Sequence, residues 1–138
     1  MGATGAGPFS NDDALDFLDS LEELDDGARH ERLASTMTQV VESSEYIEAP
    51  AMSEAVAAAV LVAVCDDPEC AVGERNVPRW TDDEPVDVDE DLEELATRTL
   101  RRALRSDDNE LLELWSESDG ARKYEAKLTH YLDALSAE

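Results

Sequence analysis

Between Ala51 and Cys65 the chain reads AMSEAVAAAVLVAVC, a run in which only Ser53 and Glu54 are polar. Ala59, Val60, Leu61, Val62 and Val64 leave its second half without a polar side, so a helix here must be covered by neighbours all round. A membrane span needs about 20 predominantly apolar residues. This run is shorter, carries Glu54 near its start and is followed by Asp66, Asp67 and Glu69, so it predicts the buried helix of a water-exposed domain. Ala55, Ala57, Ala58 and Ala59 let flanking helices come close, and each Val or Leu buried there contributes about 1.5 to 3 kcal/mol.

The helices available to cover that run are legible from their spacing. Ala14, Phe17, Leu18, Leu21 and Leu24 recur at helical intervals behind Asn11, a good N-cap, and Asp12 and Asp13, whose charges suit a helix N-terminus. Phe9, just ahead of the cap, reads as a hydrophobic staple. This first helix is expected to reach Leu24, with Asp25, Asp26 and Gly27 turning the chain. A second, from about Ala28 to Ser44, places Leu33, Met37, Val40 and Val41 on one face, with Arg29, Glu31, Arg32 and Glu42 elsewhere. Tyr46 and Ile47 form a short connection, and Pro50 opens the central helix. Residues 66–88 read as one long acidic loop, pinned to the core by Val77 and Trp80.

Beyond the loop, Leu92, Leu95, Ala96, Thr99, Leu100, Ala103 and Leu104 give the cleanest amphipathic pattern in the chain. Glu93 and Glu94 begin its exposed side, and Arg98, Arg101, Arg102 and Arg105 end it, an order that complements the helix dipole. A short helix capped by Ser106 and Asp107 follows, with Leu111, Leu112, Leu114 and Trp115 as its apolar side. Asp119 and Gly120 then turn the chain into a last helix with Tyr124, Leu128, Tyr131, Leu132 and Leu135 on one face. The fold class expected is all-α: one domain over residues 1–138, a compact bundle of about five to six helices around the Ala/Val-rich central helix. A Gly-rich segment, residues 1–10, precedes it.

Charge narrows the setting. Thirty-five Asp and Glu face eleven Lys and Arg, for a net charge of −24, and only Lys123 and Lys127 are lysines. The acids are spread over every expected helix and loop rather than gathered in a tail or on one face. That pattern fits adaptation to a cytoplasm at molar salt, as in a halophilic archaeon, better than mimicry of nucleic acid or a ligand surface for a basic partner. Met1 to Asp13 has neither the basic nor the apolar region of a secretory signal, and Ala6 breaks the myristoylation pattern, so a cytoplasmic location is expected. A nucleic-acid interface would want a wide basic surface interleaved with aromatics, which is missing. The clustered arginines read as partners for neighbouring acids.

The motifs of chemistry are largely excluded by spacing. There is no phosphate-binding glycine loop, nucleophile elbow or histidine pair on one helix face. Asp87, Asp89 and Asp91 resemble a calcium loop only until its sixth and twelfth positions, where Leu92 and Arg98 stand in place of Gly and Glu. Cys65 and Cys70 could form a disulfide or supply half a zinc site, but the expected cytosol is reducing and His30 and His130 lie in separate helical patterns, so two ordinary thiols at a helix end are expected. No catalytic residue, cofactor or metal ligand is assigned.

The opening residues carry a resemblance. Gly2, Gly5, Gly7, Phe9, Asn11, Asp12, Ala14 and Asp16 match the start of the family catalogued as domain of unknown function 4259, with Thr4 where that family usually has Trp. YIEAPAMSEAVAAAVLVAV resembles its second segment, and LWSESDGARKYEAKLTHYLDAL its C-terminal end. The resemblance implies a shared fold and leaves the activity open. The candidate site is therefore Gly5, Gly7, Phe9, Asn11, Asp12, Asp13 and Asp16. Glycine-rich backbone beside a helix N-terminus can present N–H groups to a ligand, while the three aspartates suit a cation or a basic protein segment better than an anion. Packing and capping would equally account for these residues. The function expected is a protein-interaction or regulatory module with a protein partner, the alternative being a metal-binding protein or enzyme using the acids at the start of the first helix.

Overall fold

The computed structural model describes residues 12–43, 47–71, 77–83, 86–104 and 120–136. Its helices are α1 (Asp12–Glu22), α2 (Asp26–Val41), α3 (Ala49–Asp66), α4 (Trp80–Asp83), α5 (Glu90–Ala103) and α6 (Gly120–Ser136), with a 3-10 turn at Pro68–Ala71. There is no strand among the described residues. The chain is all-helical, as its periodicities predict.

α3 is the axis. Its 18 residues make a rod about 27 Å long. Met52, Ser53 and every residue from Ala55 to Val64 are buried, and all the other described helices touch it. Pro50 lies in its first turn, where a missing N–H costs no helical bond. The helix stops one residue beyond Cys65, where the Asp67 N–H still reaches the Ala63 carbonyl at 2.8 Å.

The covering helices bury the stripes their sequences mark. α1 contributes Ala14, Phe17, Leu18 and Leu21; α2 contributes Leu33, Met37 and Val40; α6 contributes Tyr124, Leu128, Tyr131 and Leu135. α5 turns Leu92, Ala96, Thr99, Leu100 and Ala103 inward. Thr99, a polar residue in that stripe, is satisfied by its own helix, donating to the Leu95 carbonyl at 2.7 Å. The start of α5 is set by Asp89, whose side chain accepts from the Leu92 N–H at 2.8 Å. His30 Nε2 of α2 lies 3.5 Å from the other oxygen of Asp89, so the carboxylate that caps α5 also sits against α2.

Several boundaries differ from the expectation. α1 ends at Glu22, not Leu24, and α2 starts at Asp26, because Asp25 is an N-cap and not merely a turn residue: its side chain accepts from Ala28 N–H at 2.9 Å. α2 ends at Val41, before Ser44. The described parts of the acidic loop of residues 66–88 hold more helix than its composition suggests. It opens on the end of α3, continues into the 3-10 turn and contains α4, whose Thr81 hydroxyl donates to the Pro78 carbonyl at 2.7 Å. Trp80 is buried and Val77 is packed on the core, the anchoring role expected of them. The short helix expected around Leu111 to Trp115 lies outside the described residues.

Candidate functional site

Of the seven candidate residues, Gly5, Gly7, Phe9 and Asn11 lie outside the described residues. Asp12 is the first residue of α1, and Asp13 and Asp16 are exposed on that helix. The inward side of α1 is aliphatic and aromatic. Its outward side carries Asp13, Asp16, Asp19 and Glu22, all exposed, with exposed Glu23 just past its end, so Asp13 and Asp16 belong to an acidic face running along the helix.

That face borders a cleft of about 360 Å³. One wall is α1, with Leu15, Leu18, Asp19 and Glu22; the other is the segment leading into α4, with Val77, Pro78 and Arg79. The sequence reading stopped at Asp16 and missed Asp19, Glu22 and Arg79. The signal for the first two was available, since Asp12, Asp16, Asp19 and Glu22 follow one another at helical spacing.

Both walls are held by one buried arginine. Arg29 of α2, only 5% exposed, donates from Nε to the Leu21 carbonyl at 2.9 Å and from Nη2 to the Glu22 carbonyl at 3.2 Å. Its guanidinium lies 4.7 Å from the ring centroid of Trp80. α1 has no base in its own last turn, so Arg29 supplies the positive charge and donors that the end of a helix lacks. Stacking on Trp80 then fixes the residue next to Arg79. The sequence reading put Arg29 away from the apolar face of α2; the structure places it inside. Arg29, Leu33, Met37 and Val40 stand at i, i+4, i+8 and i+11, so its position in the core stripe was the available clue.

A second arginine does the same work at the end of α2. Arg102, from α5, donates from Nη1 to the Val40 carbonyl at 2.6 Å and also to the Ser43 carbonyl. The pattern had suggested carboxylate partners for the cluster of Arg98, Arg101, Arg102 and Arg105. The Arg102 guanidinium reaches these backbone carbonyls, a role no charge pattern displays. Arg98 and Arg101 are exposed.

A wider depression of about 970 Å³ lies over the outer side of α2, among Leu24, Ala28, His30, Glu31, Arg32 and Ser35. Arg32 there sits over the Phe17 ring, 5.9 Å from its centroid. Its charges are mixed and its walls diverge, so it selects no particular chemistry.

The cysteines are unpaired thiols, Cys65 half-buried and Cys70 buried. Burial pushes the Cys65 thiol up, against smaller opposing effects of the Val86 backbone and Arg29. Burial, with Asp67 and Asp66 nearby, pushes Cys70 up to about 11. Both are therefore protonated at neutral pH and poor nucleophiles. His130 does not join them as a ligand: its Nε2 lies 2.7 Å from the Cys70 carbonyl oxygen, holding α6 to the 3-10 turn. No group of three or more His, Cys, Asp or Glu that could hold a metal ion occurs among the described residues. No helix among them is long and apolar enough to cross a membrane.

The family model for a domain of unknown function, DUF4259, matches residues 2–127, nearly the whole chain. The chain belongs to this DUF4259 family. The match confirms the resemblance carried by the glycines, Phe9, Asn11 and Asp12 of the opening segment, and it brings no activity with it. No curated protein and no solved structure matches the chain. The DUF4259 chain thus has its functional reading to gain from its own surface.

Proposed function

We propose that this DUF4259 protein is a protein-interaction module that works in a high-salt cytoplasm and uses the outer face of α1 as its contact surface. The observation that carries the reading is the division of α1. Ala14, Phe17, Leu18 and Leu21 commit one side to the core, while Asp13, Asp16, Asp19 and Glu22 present an exposed acidic side beside a cleft. Core packing accounts for the first set and asks nothing of the second. In molar salt the attraction acts only at contact distance, where exposed carboxylates favour a basic protein segment over an acidic one.

The test is affinity capture at multimolar salt with the native protein and an Asp13→Ser, Asp16→Ser variant of unchanged circular dichroism, followed by cross-link mapping. One defined partner, cross-linked to α1 and lost with the variant, is the expected result. Equal capture by both proteins, or cross-links confined to other helices, would remove α1 from the interface. Stabilisation by millimolar divalent ions that Asp13→Ser, Asp16→Ser abolishes would favour metal binding instead.

A further inference from the structure

We infer that the cleft between α1 and residues 77–79 is the docking pocket for a single cationic, aliphatic-stemmed side chain, arginine or lysine, of a partner protein. This inference rests on the interaction reading above and names the chemistry that reading would recognise.

Three observations select that occupant. The apolar lining comes from Leu15, Leu18, Val77 and Pro78, which suits the methylene stem of a long basic side chain; such stems lie along apolar surface while the head stays polar. The α1 wall ends in two exposed carboxylates, Asp19 and Glu22. Among the described residues neither these nor Arg79 is in an ion pair, so two carboxylates stand ready for an incoming cation without first losing an internal partner.

Arg79 gives the pocket a direction. A cation is repelled from the wall that carries it and attracted to the wall carrying Asp19 and Glu22, so the charged head settles against α1. The donors of Arg79 are left for a carbonyl or carboxylate of the partner's chain. The pocket also exists before its ligand arrives. Arg29 grips the Leu21 and Glu22 carbonyls on one wall and stacks on Trp80 beside the other, so binding does not have to order the walls.

The test uses the full-length protein at multimolar salt and two blocked pentapeptides, acetyl-Ala-Leu-Arg-Leu-Ala-amide and the same peptide with citrulline for arginine. Citrulline keeps the length and planar end and removes the charge. Binding is read by titration calorimetry and by the nuclear magnetic resonance signals of α1. The arginine peptide is expected to shift α1 and to bind about fivefold more tightly than the citrulline peptide. A folded Asp19→Asn, Glu22→Gln variant should erase that difference. Equal binding of the two peptides, indifference to the double substitution, or no binding of either overturns the pocket. A partner whose capture depends on Asp13 and Asp16 but not on Asp19 and Glu22 would then leave the interaction reading standing without this pocket.

Discussion

The C-terminal ends of α1 and α2 pose one physical problem and receive two grades of the same answer. Neither helix has a base in its last turn, so both expose carbonyls and the negative end of a dipole. Each is closed by an arginine from another helix, α1 by Arg29 and α2 by Arg102. At α1 the arginine is 5% exposed and stacked on Trp80, itself 6% exposed; at α2 it is half-buried. The difference teaches where this chain spends its few bases. With eleven Lys and Arg against 35 acids, two arginines are given to backbone carbonyls, and the more buried of them also organises the cleft.

The comparison can be broken outright by removing salt. At about 1 M salt the screening length is about 3 Å, and at 0.01 M it is about 30 Å, so a chain of net charge −24 meets its own repulsion when diluted. Dialysis into dilute buffer is expected to unfold the protein, both helix ends together, as loss of far-ultraviolet circular dichroism. A retained helical signal would show that the acids are not a high-salt adaptation.

The two arginines should then separate by magnitude. Arg29→Ala uncovers two carbonyls and the Trp80 face in a buried setting, and is expected to cost about 3 kcal/mol in denaturant titrations at high salt. Arg102→Ala, at a wetter end where solvent can replace part of the lost bonding, should cost about 1 to 2 kcal/mol. Equal losses would mean that burial and the Trp80 stack add nothing at α1.

Alkaline titration probes the neighbouring end of α3. Cys70 ionises near 9.0 when unfolded and at about 11 in the fold. The protonated thiol is the form the fold accepts. Its contribution is complete below pH 9 and is lost as pH rises from about 9 to 11. Cys70→Ala should flatten the fall in stability across that window, and an unchanged slope would contradict it. The smallest effect concerns Trp80, whose buried indole N–H has no acceptor among the described residues. Trp80→Phe removes that donor and keeps a ring for Arg29, so the expected change is within about 1 kcal/mol of native stability, in either direction. A much larger loss would mean that the full indole face is essential to the arginine stack.

Much of this was open to inspection in the residues alone. The run from Ala51 to Cys65 has no polar face over its second half, and burial follows from that whatever covers it. Leu92 to Ala103 mark their own inner stripe, and Asp89 lies three residues ahead of Leu92, at capping distance. The acidic face of α1 follows from spacing within one helix. These features are local, so short-range periodicity and capping chemistry determine them.

The rest depended on which helix came to lie against which. Arg29 meets carbonyls seven and eight residues back and a tryptophan 51 residues ahead, and Arg102 meets carbonyls about 60 residues away. Backbone acceptors are present at every residue and leave no mark in a sequence, so no pattern could say which would be reached. The cleft has the same origin: α1 determines its acids, but its second wall exists only because Trp80 is held under Arg29. The sequence by itself determined a buried central helix, its amphipathic cover and an acidic α1. Tertiary structure alone decided what closes each helix end and where the surface opens, because both depend on contacts between segments distant along the chain.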